Sequence, residues 1–311
     1  MRKKITIVGA GNVGASCALW LAQRGIADIV LVDAAIAKTA PVGKALDLLQ
    51  AGPIVGYNAR VTGTADGNYD GTENSDVIVI TAGFPRKPGM SREDLVGANQ
   101  AIITDVLDKA LPRSPNAYIV VVTNPLDSMT YLAYKHSGLP KHRVMGQAGI
   151  LDSARMAAFI ALEMNVSIEN VQTVVLGGHG DEMVPLTRYS TVFGRSINEW
   201  LPAEKVNAIV ERTRKGGGEI VNLLGTSAYY APGAAAARMA EAILMDSKLI
   251  VPASAYLEGE YGYKDLYFGV PVKLGAGGVE QIIEFPLTDD ERAMADRSVK
   301  LIRETMAALK F

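Results

Sequence analysis

Cysteine is almost absent from this chain: Cys17 is the only one in 311 residues. A lone thiol excludes intramolecular disulfides and cysteine-cluster zinc sites, and it suits a reducing, cytoplasmic location. Histidine is nearly as scarce. His136, His142 and His179 are the three present, with no close His/Cys pair, so no protein-built metal site is expected. Excess charge is missing as well, since 31 Lys+Arg stand against 33 Asp+Glu for a formal charge of −2. That balance removes the electrostatic case for a nucleic-acid partner. A membrane span is also lacking. Residues 5–22 carry no charge behind Arg2, Lys3 and Lys4, but Gly9, Gly11, Asn12, Gly14 and Ser16 interrupt them. Glycine is poor in a helix interior, so this stretch reads as strand, tight turn and helix rather than a signal peptide or membrane anchor. Glycine, by contrast, is abundant: 31 residues, a larger share than the usual ~7%.

The first half alternates short apolar runs with longer helical patterns, which predicts a parallel sheet with crossover helices. Residues 5–8, 29–32, 77–81 and 117–122 are rich in Val and Ile without polar alternation, as in strands buried on both faces. Each run ends where small or polar residues begin, and in an open α/β sheet the ligand crevice lies outside those carboxyl ends. Near residue 145 the texture changes. A helix is expected over 150–165, mixed strands near 171–176 and 186–193, and a long helical region over about 199–245. Strands follow near 248–256 and 266–273. Thr288 and Glu291 form a capping box before a helix whose apolar stripe is Ala295, Val299, Ile302, Met306 and Leu309. The expected fold is α/β: a Rossmann-type doubly wound parallel sheet over residues 1–145, followed by an α+β substrate and catalytic domain over 146–311.

Gly9-Ala10-Gly11-Asn12-Val13-Gly14 matches G-x-G-x-x-G. The pattern alone is weak, but here a strand precedes it and an apolar helix follows. Missing Cβ atoms let backbone approach a pyrophosphate, whose charge the helix N-terminus stabilises. Asp33 closes the second strand 19 residues after Gly14, where a carboxylate accepts from a ribose 2′-hydroxyl and repels a 2′-phosphate, favouring NAD over NADP. Other glycines invite plainer readings. Gly216-Gly217-Gly218 predicts a helix break or kink, and Gly275-Ala276-Gly277-Gly278 a turn between strands. Cys17 falls on the apolar face of the first helix, as a buried structural thiol.

Three further constellations carry chemistry. Asp152 and Arg155 are three apart on one helix face, an arrangement a surface ion pair explains equally well. His179, in Gly177-Gly178-His179-Gly180-Asp181, sits on a glycine-flanked turn with open space around it. It titrates near neutral pH and so suits proton exchange with a hydroxyl, though a structural turn histidine remains an alternative. Arg86 and Arg92 lie six apart on a Pro- and Gly-framed loop that closes with Ser91 and Asp94 as a helix cap. They fit a clamp for an anionic substrate, or simply a solvated basic loop.

Taken in order and spacing, the glycine fingerprint, Asp33, the Arg86 loop, Thr123-Asn124-Pro125, Leu151-Asp152-Ser153-Ala154-Arg155 and Gly178-His179-Gly180-Asp181 resemble the lactate and malate dehydrogenases along essentially the whole chain. The closer similarity is to the malate dehydrogenases of the lactate-dehydrogenase-like branch. The resemblance implies His179 as catalytic acid/base, with Asp152 orienting its imidazole and stabilising its charged form. It implies Arg155 holding the substrate C1 carboxylate through two parallel bonds, and Arg92 polarising the carbonyl. Asn124 is implied to touch both substrate and cofactor, while Gly9, Gly11, Asn12, Val13, Gly14, Asp33, Asn99 and Val122 are implied to hold NAD. Arg86 occupies the family's specificity position, where a second cation matches a second carboxylate, as in malate or oxaloacetate. Pyruvate leaves that guanidinium unpaired, for an expected discrimination of about 10⁴-fold. The segment Leu223-Leu224-Gly225-Thr226-Ser227-Ala228-Tyr229-Tyr230 departs from the family pattern by being one residue shorter. A lactate or broad 2-hydroxyacid dehydrogenase, and a nucleotide-binding module without catalysis, are the competing readings. A homodimer or homotetramer is the implied assembly.

Overall fold

The computed structural model describes residues 2–84 and 92–311, and of residues 92–94 the backbone alone. In the first half, elements run β1 (Lys3–Val8), α1 (Asn12–Arg24), β2 (Ala27–Val32), α2 (Ala40–Val55), β3 (Val61–Gly63), β4 (Val77–Ile80), α3 (Arg92–Ala110), β5 (Tyr118–Val121), α4 (Leu126–Ser137) and β6 (Val144–Gly146). All five neighbouring pairs are parallel, in the order β3-β2-β1-β4-β5-β6. This is the doubly wound dinucleotide-binding order, in which the sheet reverses direction of growth between β1 and β4.

Strand alternation divides the core. Ile5, Ile7, Ile29 and Leu31 face one side, where Cys17 and Leu21 of α1 cover them. Val8, Val30, Ile78, Ile80 and Ile119 join the opposite cluster with Ile103 and Leu107 of α3 and Met129 and Leu132 of α4. Cys17 is fully buried, which pushes its thiol up to about 12 and leaves it unreactive near neutral pH.

The second half continues with α5 (Gly149–Met164), β7 (Val171–Gln172), β8 (Val175–Leu176), β9 (Val184–Pro185), β10 (Thr191–Val192), β11 (Arg195–Ser196), α6 (Ile197–Trp200), α7 (Ala203–Leu224), α8 (Tyr230–Leu244), β12 (Leu249–Glu258), β13 (Lys264–Gly275), β14 (Gly278–Ile282) and α9 (Asp289–Met306). Its long strands do not form a separate sheet. β12 pairs antiparallel with β6 through Ser254 and Gly146, and β13 and β14 extend the same sheet to nine strands. Residues on both sides of the expected division therefore share one sheet, which seats the second half directly beside the strand ends of the first. The capping box of α9 forms in both directions between Thr288 and Glu291, and Ala295, Val299, Ile302 and Leu309 are buried.

The helical region expected over 199–245 is made of α6, α7 and α8, and only the place of its break needs correction. The interruption between α7 and α8 falls after Gly225, at φ +70°, rather than at Gly216-Gly217-Gly218. Those three glycines lie inside an unbroken α7. Their helix-weakening tendency, about 1 kcal/mol each, is outweighed by packing of α7 on α5 through Val206, Ile209, Met156 and Ile160.

Candidate active site

The dinucleotide loop joins β1 to α1 at the reversal point of the sheet. Its three glycines do three different things. Gly9 has φ +104°, and a Cβ there would run into the backbone of Ala82. A Cβ on Gly14 would run into the carbonyl of Gly9, so this residue lets helix and strand pack closely. Only Gly11 opens onto free space. Gly11 thus leaves room for a ligand beside the backbone, while Gly9 and Gly14 give the turn its tight shape. Asn12, Val13 and Gly14 start α1, whose N-cap has no side-chain partner, leaving amides directed at the crevice.

Asp33 follows β2 and is half-buried. One of its oxygens accepts from the amide of Ala10 at 2.8 Å and the other from the amide of Ala34 at 2.8 Å. Each oxygen keeps a free lone pair for a hydroxyl donor. Lys44 of α2 donates to the carbonyl of Ala10 at 2.5 Å, so the loop is held from both sides. These features fit a dinucleotide with a free ribose 2′-hydroxyl.

Across the crevice, Val122 follows β5 and donates its amide to Ile80 at 2.9 Å. Asn124 is exposed beyond it. Asn99 is fully buried and its amide group is occupied: Oδ1 accepts from Phe84 at 2.7 Å, and Nδ2 donates to Asn124 at 2.6 Å and to Phe84 at 3.2 Å. It braces the two loops that frame the crevice. Arg86, at the specificity position, lies outside the described residues. So do the side chain of Arg92 and the Ser91/Asp94 cap.

Helix α5 and the β8–β9 turn bring the acid–base residues together. His179 Nδ1 lies 2.8 Å from Asp152 Oδ2, and the other carboxylate oxygen accepts from Arg155 Nη1 at 3.2 Å. Asp152 is 2% exposed and Arg155 15%, so this is a buried relay and not a surface ion pair. With Nδ1 engaged, Nε2 is the nitrogen left for a substrate. Burial works against the charged imidazole. The charge and hydrogen bond of Asp152 outweigh it, with Asp127 adding and Arg155 opposing, so His179 holds its proton above the usual range.

Gly180 leaves open space on one side of His179, whereas Gly178 and the glycines over Arg155 allow close approach. A Cβ on Gly178 would sit 3.1 Å from Ile302 and 3.3 Å from Asp127, so this residue is packed and makes no open space. Gly216 and Gly217 of α7 lie over the Arg155 side chain, where added Cβ atoms would be 3.2 Å from its Cδ and 3.7 Å from Nη2. The glycine run in α7 is thus the groove in which Arg155 lies. The Nε–H of that guanidinium is buried, with no hydrogen-bond partner among the described residues.

Sequence reasoning missed Asp127 of α4 and Ser254 of β12. Asp127 accepts from the amide of His179 at 3.0 Å and from the hydroxyl of Ser254 at 2.6 Å. The one available signal was an acid in the first turn of an otherwise apolar helix start.

This geometry has counterparts. The lactate/malate dehydrogenase NAD-binding domain matches residues 3–146, and the lactate/malate dehydrogenase alpha/beta C-terminal domain matches residues 150–310. A malate dehydrogenase of Roseiflexus sp. (strain RS-1) is 57% identical over 311 residues, covering 100% of this chain and 99% of that protein. The structure of a malate dehydrogenase from Salinibacter ruber superposes with a TM-score of 0.93 at 50% identity, covering 98% of this chain and 97% of that one. A Cryptosporidium parvum lactate dehydrogenase, solved with lactic acid and nicotinamide adenine dinucleotide, gives a TM-score of 0.94 at 38% identity over 99% of this chain and 98% of that one. With both domains matched along nearly the full length, the chain belongs to the lactate/malate dehydrogenase family.

Proposed function

We propose that the chain is an NAD-dependent malate dehydrogenase, catalysing reversible hydride transfer between (S)-malate and NAD⁺ to give oxaloacetate and NADH. Residues 1–145 form its cofactor half and 146–311 its substrate half. The observation that carries the reading is Asp152, bonded at once to His179 and Arg155 at the edge of a crevice headed by the dinucleotide loop. Bound NAD supplies the hydride acceptor, and its reduced form the donor. The loop from Gly9 to Gly14 and the α1 amides hold the pyrophosphate, Asp33 the ribose, and Asn99, Val122 and Asn124 the facing wall.

His179 accepts the substrate hydroxyl proton at Nε2 during oxidation and returns it during reduction. Asp152 fixes the tautomer and supports the imidazolium. Arg155 binds the C1 carboxylate, and its hydrogen bond to Asp152 at 3.2 Å, beside His179, supports this role. Arg86 and Arg92 complete the pocket on sequence grounds, Arg86 pairing with the second carboxylate and Arg92 polarising the carbonyl.

Steady-state kinetics with oxaloacetate and pyruvate test the proposal. Oxaloacetate is expected to have the higher kcat/KM by orders of magnitude. Comparable values would favour a lactate or broad 2-hydroxyacid dehydrogenase. Arg86→Gln is expected to lower oxaloacetate preference by about 10²-fold or more, and an unchanged ratio would remove Arg86 from the pocket.

We further infer a homodimer or homotetramer in a reducing cytoplasm. Exposed Val42, Leu46 and Leu49 on α2, with Trp20 on α1, support association. Sedimentation showing a monomer at micromolar concentration would reject it. No described helix is long and apolar enough to cross a membrane.

A further inference from the structure

The turn that carries His179 is held by three successive backbone amides, each taken by a different element. Gly177 donates to the carbonyl of Gly269 on β13 at 2.9 Å. Gly178 donates to Ser298 Oγ on α9 at 2.8 Å. His179 donates to Asp127 Oδ2 on α4 at 3.0 Å. Two of these acceptors are neutral, whereas the one nearest the imidazole is a carboxylate. Asp127 is 6% exposed and makes no salt bridge among the described residues. Its second oxygen accepts from Ser254 on β12 at 2.6 Å. Burying an ionisable group is costly unless it is hydrogen-bonded, and a neutral side chain of the same shape would hold the turn without that cost. The charge therefore calls for a use.

We propose that Asp127 is a positioning residue for His179: its carboxylate sets the imidazole over the substrate pocket through the backbone amide and places a second negative charge beside the imidazolium. This rests on His179 being the acid/base of the proposed reaction. Among the described residues, the charged groups around the imidazole are Asp152 and Arg155 from α5 and Asp127 from α4. The groups from β12, β13 and α9 that hold the turn are neutral: Ser254, Gly269 and Ser298. Burial drives the Asp127 carboxyl upward, while the Ser254 hydroxyl and the His179 amide pull it back toward the ionised form. Ser254 thus favours the charged form of Asp127 against burial, and a charged Asp127 in turn favours a charged His179.

Asp127→Asn separates geometry from charge. Its Oδ1 still accepts from His179, and its Nδ2 donates to Ser254 Oγ, so both contacts survive and only the charge is lost. Titration of ¹³C-labelled histidine in the full-length protein with NAD bound reads the effect directly, because only three histidines need assignment. The His179 midpoint is expected to fall by about 1 pH unit. The limb on which oxaloacetate reduction falls moves with it, kcat above neutral pH drops about 10-fold, and NADH affinity and oxaloacetate KM stay within about 2-fold. Asp127→Ala also frees the turn and is expected to cost about 10²-fold in kcat. Ser254→Ala, which leaves the carboxylate in place, should shift the midpoint in the same direction by less. Parental midpoints and pH profiles in Asp127→Asn would overturn the proposal. If that variant does not fold, a parental midpoint and kcat in Ser254→Ala would do the same. The histidine titration needs no substrate, so failure of the parent protein to reduce oxaloacetate counts against the assigned reaction and leaves this test intact.

Discussion

Three adjacent glycines in α7 make a sharp test of how Arg155 is seated. Replacing any one of them by alanine gains about 0.8–1 kcal/mol of helix preference, or roughly 1–2 °C in Tm for a chain of this size. The three sites differ only in what the new methyl meets. At Gly218 it meets nothing within 4 Å, and at Gly217 it makes ordinary contact with Arg155 Nη2 at 3.7 Å. At Gly216 it stands 3.2 Å from Arg155 Cδ, so the arginine stem must give way by a few tenths of an ångström. Misplacement by ~1 Å costs about 10²-fold, so a shift of this size should cost about 3–10-fold. Gly218→Ala is therefore expected to be more stable with parental kinetics, and Gly217→Ala more stable with KM changed less than about 2-fold. Gly216→Ala should raise oxaloacetate KM about 3–10-fold at similar kcat, and give up part of its stability gain to the contact. Differential scanning calorimetry and steady-state kinetics on the three variants decide it. Equal KM for all three, or parental KM in Gly216→Ala, would refute the seating of Arg155 under this helix.

Other consequences are equally direct. His179 is raised above its usual range, so oxaloacetate reduction, which needs the imidazolium, is expected to hold through neutral pH and fall as pH rises through the folded value. Malate oxidation should rise over the same interval. Asp152→Asn should move both limbs to lower pH by about 1–3 units, measured as kcat/KM against pH. The same raised value stabilises the fold most fully below about pH 6.5, a contribution lost as pH rises through the folded value and readable by urea titration. Gly14→Ala sets a methyl against the Gly9 carbonyl, two backbone groups that cannot separate cheaply. It is expected to cost about 1–3 kcal/mol in denaturant unfolding, and about 10-fold or more in NADH affinity by fluorescence titration. Parental values would show that helix and strand do not need that close approach.

Much of this protein is local and so was legible along the chain. The glycine fingerprint, the strand before it and Asp33 behind it lie within one βαβ unit, and their spacing encodes the dinucleotide site before any tertiary contact is known. The Thr288/Glu291 cap and the stripe on α9 are likewise short-range patterns. Asp152 and Arg155 declared a shared helix face, and the family motifs assigned them a chemistry. What stayed hidden depends on residues far apart in sequence. Asp127 and Ser254 look ordinary in a helix start and a strand, and gain meaning only because β12 pairs with β6 and brings them 2.6 Å apart. Gly216-Gly217-Gly218 signals a broken helix when local propensity is the only guide. Packing on α5 keeps α7 straight, and the missing side chains become the groove for Arg155. Local sequence determined the strands, turns and chemical groups, because propensity and hydrogen-bond geometry act over a few residues. Tertiary structure alone decided that both halves share one nine-stranded sheet, and that a second buried carboxylate stands behind the histidine, because burial and charge depend on what the folded chain brings together.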